Sequence, residues 1–407
     1  MRSHNVPALR LEGFDGEWEA QRAREIFIET DDRGYPDLPV LSATQTRGMV
    51  PRSMVDYTIQ HNRANEVGYK RVCVGDFVVH LRSFQGGFAH SYYEGITSPA
   101  YHVFRARESS RHDHKFWRFV FASSHFIHQL HFVTFGIRDG KSISFPEFLE
   151  LPLNYAPTLE EQQAIGAIFT NLDAAINQHT LKHKALQQAK TALMQRMFPQ
   201  EGQTLPELRL DGFSGEWEET TLGELGAFRS GVGFPEREQG GTIGLPFYKV
   251  SDLSAPGNEL QLQSANHYVT EGQIVRNHWT SVTAVPAILF AKVGAAVFLG
   301  RKRLVNNAFL LDNNLMAFSL NTESWDVQFA DTYLKTVDLT QFTQSGALPS
   351  LNARHLAEAE AIIPPTLEEQ QAIGAVFTNL DQLIAAEAQY IASLKQAKTA
   401  LLQRMFI

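Results

Sequence analysis

The stretch Pro157–Phe198, PTLEEQQAIGAIFTNLDAAINQHTLKHKALQQAKTALMQRMF, returns as Pro365–Phe406, PTLEEQQAIGAVFTNLDQLIAAEAQYIASLKQAKTALLQRMF, with 28 of 42 positions identical at a constant offset of 208. Self-similarity of this length marks an internal duplication. Each copy reads as a helix. Thr158 with Glu161, and Thr366 with Glu369, form the S/T-x-x-E capping box behind a proline that discourages helix upstream. No proline interrupts either copy, and the first stops at Phe198-Pro199. At about 1.5 Å per residue each is a rod of roughly 60 Å.

Apolar residues recur along both rods every seventh position, the spacing of a coiled-coil seam. Ile165, Leu172, His179, Leu186 and Leu193 form the helix–helix seam in the first, and Ile373, Leu380, Glu387, Leu394 and Leu401 in the second. Two such rods are expected to pack on each other. A parallel pair fits the spacing, but a pseudo-twofold axis relating the halves demands an antiparallel one. His179 and Glu387 interrupt the seam at equivalent midpoints and are candidates for a polar contact that sets register. Gly166 and Gly374 weaken helix propensity by about 1 kcal/mol each; they are expected to permit close approach of the neighbouring rod or of a partner.

A shorter repeat precedes each unique block: LRLEGFDGEWE at Leu9–Glu19 and LRLDGFSGEWE at Leu208–Glu218. Trp18 and Trp217 within it read as anchors holding the lead-in against the opposite rod's end. The unique blocks, 20–156 and 219–364, share an outline more than a sequence. Strand-like runs occur at Leu38–Leu41, Val72–Val79, Leu245–Val250 and Ala287–Phe290, and amphipathic helices at His114–Phe126 and Trp325–Leu334. Phe119, Phe132 and Gly136 align with Phe329, Phe342 and Gly346 at an offset of 210. Each block is therefore expected to be a mixed α/β domain, its sequence diverged while the rods stayed alike.

Composition narrows the function. Of 407 residues, 43 % are hydrophobic and 20 % charged, which excludes disorder, collagen and a disulfide scaffold. The single Cys73, with no charged-then-apolar leader at Met1–Gly13, points to a reducing cytoplasm. The longest apolar stretch, Val282–Leu299, is broken by Pro286 and Lys292 and reads as two buried strands, not a membrane span. A net charge of −8 argues against a strong non-specific grip on nucleic acid, so any such function rests on local clusters.

The alternation of two variable blocks with two near-identical helices, the P-T-L-E-E-Q-x-x-I-x-x-x-F-x-x-L-D run and the L-R-x-x-G-F-x-G-E-W lead-in resemble the specificity subunit of Type I restriction-modification systems. Gly75–Phe104, and Ala287–Arg303 followed by Asp312–Phe318, resemble segments of that family's target recognition domains. The resemblance implies an α+β fold in which two mixed α/β target recognition domains are joined by two long antiparallel coiled-coil helices with an internal pseudo-twofold repeat. The domains would span 1–156 and 199–364, each with its lead-in, and the spacer helices 157–198 and 365–407. Each recognition domain would read one half of a split double-stranded DNA target. The helices would set the gap between halves and dock two adenine-N6 methyltransferase subunits, with an ATP-dependent restriction subunit completing the complex. S-adenosylmethionine and ATP would then bind the partners and no cofactor this chain.

The residues agree that this chain does no chemistry of its own. It contains no N-P-P-[YF] or D-P-P-[YF] methylation motif, no G-x-x-x-x-G-K-[ST] loop, and no G-x-G-x-x-G after a strand. Nine of fifteen histidines lie in the first block, with His125, His128 and His131 spaced by three near His112 and His114. Without a cysteine or carboxylate among them they read as core or surface histidines, and no metal site is expected. The DNA-contact candidates are Arg47, Arg52, Arg82, Gln85 and His90 in the first block, and Lys292, Arg301, Lys302 and Arg303 in the second. Arginine and glutamine make paired bonds to guanine and adenine, and lysine holds phosphates. Phe84, Tyr92 and Tyr101 nearby read as core before base-stacking. Two other classes compete: a structural adaptor that binds proteins through the same frame, and a self-contained modification enzyme.

Overall fold

A computed structural model describes residues 5–44, 47–55, 63–79, 87–130, 134–135, 142–344 and 349–407. Its contacts divide the chain into two compact units, 1–180 with 389–407, and 181–388. The mixed helix and sheet content is that of an α+β protein. Both rods are helical: Leu159–Arg196 over 38 residues and Leu367–Met405 over 39. The unit boundaries fall inside the rods, so each unit takes the first part of one long helix and the end of the other.

Only half of each expected capping box forms. Thr158 Oγ1 accepts from the Glu161 backbone N–H at 3.2 Å, and Thr366 Oγ1 from that of Glu369 at 3.4 Å. The two glutamate side chains turn away to other partners, described below.

In the first unit, a four-stranded antiparallel sheet orders Phe27–Thr30, His102–Ala106, Phe77–Val79 and Phe88–His90. In the second, the order is Gly226–Ser230, Leu315–Leu320, Ala287–Ala291 and Lys302–Val305. Counted along the chain, both sheets run first, fourth, second, third. The two lobes therefore share a topology that their sequences conceal. Each is closed at its base by a strand pair, Glu19–Arg22 with Pro152–Tyr155 and Glu218–Thr221 with Glu360–Ile363.

A short helix seats each lobe on its rod. His114–Val120 begins at Asp113, whose carboxylate accepts from Phe116 N; Val327–Thr336 begins at Asp326, which accepts from Gln328 N and Phe329 N. The first helix ends sooner than expected. After Val120 the chain turns, and Ser123 Oγ caps a second helix, Ser124–Leu130, by accepting from Phe126 N at 3.2 Å. Of the matches at an offset of 210, Phe119 with Phe329 is replaced, while Phe132, Gly136 and Gly346 lie outside the described residues. Phe116, packed on Trp18 and Phe406, is the counterpart of Phe329, packed on Trp217 and Phe198. Phe119 lies one turn further on the same helix face, so matching phenylalanines by sequence slipped by one turn.

Two other expectations change. Val72–Val79 is not one strand: Lys70–Val72 and Phe77–Val79 belong to different sheets, separated by a turn at Gly75 with φ of 92°. Of Val282–Leu299, only Ala287–Ala291 is a strand; Ala295–Leu299 is a 3₁₀ turn between Gly294 and Gly300, both at positive φ. Among the described residues no helix is long and apolar enough to cross a membrane.

Within each unit the two helical segments run antiparallel. In the first, Lys398 Nζ donates to Asp173 at 2.5 Å and the His179 ring meets Tyr390 edge-on at 4.6 Å. In the second, Lys182 pairs with Glu387 and Lys190 with Asp381. The seam positions grade from buried at Ile165 and Ile373 to half-buried at Leu172, Leu186, Leu193, Leu380, Leu394 and Leu401. His179 is half-buried and Glu387 buried.

Candidate nucleic-acid interface

The lead-ins fix each lobe to its rods through one device used twice. Leu9 N donates to Arg404 O at the end of the second rod, and Leu208 N to Arg196 O at the end of the first, both at 2.8 Å. Arg10 grips Glu161 with Nε and Nη2, each at 2.8 Å; Arg209 grips Glu369 with both at 2.7 Å. Trp18 and Trp217 donate their indole N–H groups to these same carboxylates at 3.3 and 3.4 Å. Gln162 and Gln370 accept from the backbone N–H of Asp113 and Asp326 at 2.9 and 2.8 Å, tying each rod to the start of the seating helix.

The two glycines serve this seat. A Cβ on Gly166 would lie 3.0 Å from Phe116 N, and one on Gly374 would lie 2.7 Å from Phe329 N. What approaches is neither the other rod nor a partner but the lobe's own seating helix. The capping-box pattern points to Glu161 and Glu369 for a different job and says nothing of Gln162 and Gln370; the signal for all four is that these polar residues persist unchanged in both copies.

With the lobes seated, the connection between the second and third strands of each sheet carries four of the nine candidates, Arg82, Gln85, Lys292 and Arg301. In the second lobe it spans 292–301. Lys292 is half-buried, its Nζ 3.0 Å from Ser230 Oγ, and Arg301 is exposed, with Nη1 donating to Ser254 Oγ at 2.6 Å. Arg303 is half-buried, bonding the Lys302 carbonyl at 2.9 Å, and burial holds its guanidinium below the usual arginine range. Lys302 departs from the expected role. Its side chain is buried, and Nζ donates at 2.8 Å to Val337 O at the end of the seating helix. Burial pushes its ammonium down to about 8. This lysine holds the strand to a helix terminus, where free carbonyls favour a cation.

In the first lobe the same connection joins Phe77–Val79 to Phe88–His90. Arg82 and Gln85, with Phe84, belong to it by sequence and lie outside the described residues. His90 ends the third strand facing inward: it is 2 % exposed, and its Nε2 lies 2.8 Å from His114 Nδ1 with the rings stacked. Burial, and then the neighbouring His114, Arg118 and Lys115, push it down to about 2. It stays neutral and internal, so in this position it offers nothing to DNA. Arg47 is exposed in the turn between Leu41–Thr44 and Gly48–Pro51, donating to Met54 O at 3.2 Å. Arg52 is half-buried in the next turn.

Among the described residues no group of three histidine, cysteine or acidic side chains could hold a metal. His125 meets Gln129 one turn along its own helix at 3.1 Å.

Two lobes of one sheet topology, each seated by the same arginine–glutamate–tryptophan device, define an internally duplicated α+β chain. Residues 214–396 match the family model of the Type I restriction modification DNA specificity domain. The resemblance to the specificity subunit of Type I systems therefore stands. The chain is similar in fold to the crystal structure of the Type-I restriction-modification system S subunit from M. genitalium. That likeness has a TM-score of 0.66 at 15 % identity and covers 99 % of each chain. A second solved chain is described as the structural basis underlying complex assembly and conformational transition of the type I R-M system. It matches with a TM-score of 0.54 at 17 % identity, covering 95 % of this chain and 96 % of that one. At these identities the likeness concerns the fold. No curated protein matches the chain.

Proposed function

We propose that this chain is the DNA sequence-recognition subunit of a Type I restriction-modification complex, working in the cytoplasm and performing no chemistry itself. Each lobe reads one half of a bipartite duplex target. The two long helices lie head to tail as a coiled coil, set the unread gap, and dock two adenine-N6 methyltransferase subunits. An ATP-dependent restriction subunit joins them, and S-adenosylmethionine and ATP bind those partners. The observation that carries the reading is one sheet topology built twice from unlike sequences. A shared scaffold presenting different loops suits two readers of different sequence. Cations on those loops, Arg301 and Lys292 in the second lobe, suit phosphate and base contacts.

The test is to map methylated adenines in cells carrying this chain with its methyltransferase. A split motif is expected, and exchanging residues 20–156 for another homologue's block changes one half alone. Methylation whose sequence ignores the exchange favours the protein-adaptor reading, and methylation by this chain without any partner favours an enzyme.

A further inference from the structure

The turn Ala295–Leu299 ends in two large apolar side chains that the lobe does not use: Phe298 is 61 % exposed and Leu299 57 %, while Val297 beside them is buried at 4 %. Single exposed apolar residues are common; this pair has two further features. The first is rigidity. Lys292 N donates to Asn314 O at 2.7 Å, Leu351 N to Lys292 O at 2.9 Å, and Gly294 N to Pro349 O at 2.9 Å, while Val297 plugs into the core. The tip is thus held out from a braced base. The second is charge. From Ala287 to Val305 the chain carries Lys292, Arg301, Lys302 and Arg303 and no acidic residue, within a protein of net charge −8. Along the chain, Lys292 precedes the tip and Arg301 follows it.

We propose that the Phe298–Leu299 tip enters the major groove of the half-target read by the second lobe and recognises thymine by its C5 methyl group. This rests on the reading of the chain as a DNA-recognition subunit. Apolar side chains form no hydrogen bonds with base edges, and the thymine methyl is the one apolar group displayed there. Arg301 and Lys292 hold the flanking phosphates, so a polyanion is the occupant that suits both the tip and its rim.

The test uses the full chain assembled with its methyltransferase subunits on a duplex of the mapped target. Each thymine in the second half is replaced in turn by deoxyuridine, which removes only the methyl. In the wild type, one or two replacements are expected to weaken binding about fourfold each, the transfer value of one methyl group. In the Phe298→Ala/Leu299→Ala variant these replacements have no effect, and the first half of the motif is unchanged. A Phe298→Met variant, still apolar, retains the sensitivity, and unaltered thermal melting of all variants excludes misfolding. Deoxyuridine effects that persist in the double alanine variant overturn the proposal, as does loss of methyltransferase assembly without loss of thymine discrimination. A wild-type complex that methylates no defined motif fails the DNA-recognition reading itself.

Discussion

Arg209 closes on Glu369 with two bonds of 2.7 Å, burying the carboxylate to 2 % exposure. The Arg10–Glu161 pair repeats this, with the glutamate side chain at 1 %. Each glutamate is out of water and held by an arginine and an indole N–H, so the bonds are needed to offset its desolvation. Removing one partner is far costlier than the net worth of the pair. Glu369→Ala is expected to destabilise the second unit by about 3–5 kcal/mol, read as a lowered urea midpoint. Glu161→Ala should do the same to the first.

The two seating glycines differ in tightness, and alanine separates them. At Gly374 the new Cβ meets backbone at 2.7 Å, whereas at Gly166 the nearest atom is at 3.0 Å. Helix propensity favours alanine by about 1 kcal/mol at both sites, and overpacking opposes it by about 1–3 kcal/mol. Gly374→Ala is expected to be net destabilising and Gly166→Ala close to neutral, measured by thermal melts of the two variants.

Acid should weaken the first unit through its buried imidazoles. His90 titrates near 2 in the folded chain and near 6.5 unfolded. Below about 6.5 the unfolded chain binds the extra proton, so stability is complete above that pH and declines as pH falls. The slope is about 1.4 kcal/mol per pH unit for one proton. Burial lowers His112 and His114 as well, adding to the same window. Urea midpoints at pH 7.5, 6 and 5 should fall progressively, and His90→Gln should flatten the curve.

The cations of the second lobe should split into two behaviours. Arg301→Ala is expected to weaken DNA binding by the assembled complex and to reduce the slope of log affinity against log salt by about 1. Lys302→Ala removes the bond to Val337 O. It should lower the melting temperature of the chain and leave that slope alone.

Read in one dimension, the chain already declared its duplication, its two long helices and the lead-ins that recur before each block. These features are local: capping, the i to i+4 bonds of a helix and sevenfold spacing are all written within a few residues. The shared strand order of the lobes was not, because it pairs segments such as Gly226–Ser230 and Leu315–Leu320 that lie far apart in the chain. Nor was the fate of a single polar side chain. Lys302 and His90 looked like surface readers and are core, while Phe298 looked like core and is exposed. Whether a side chain meets water depends on which distant segment covers it, and only the tertiary packing decides that.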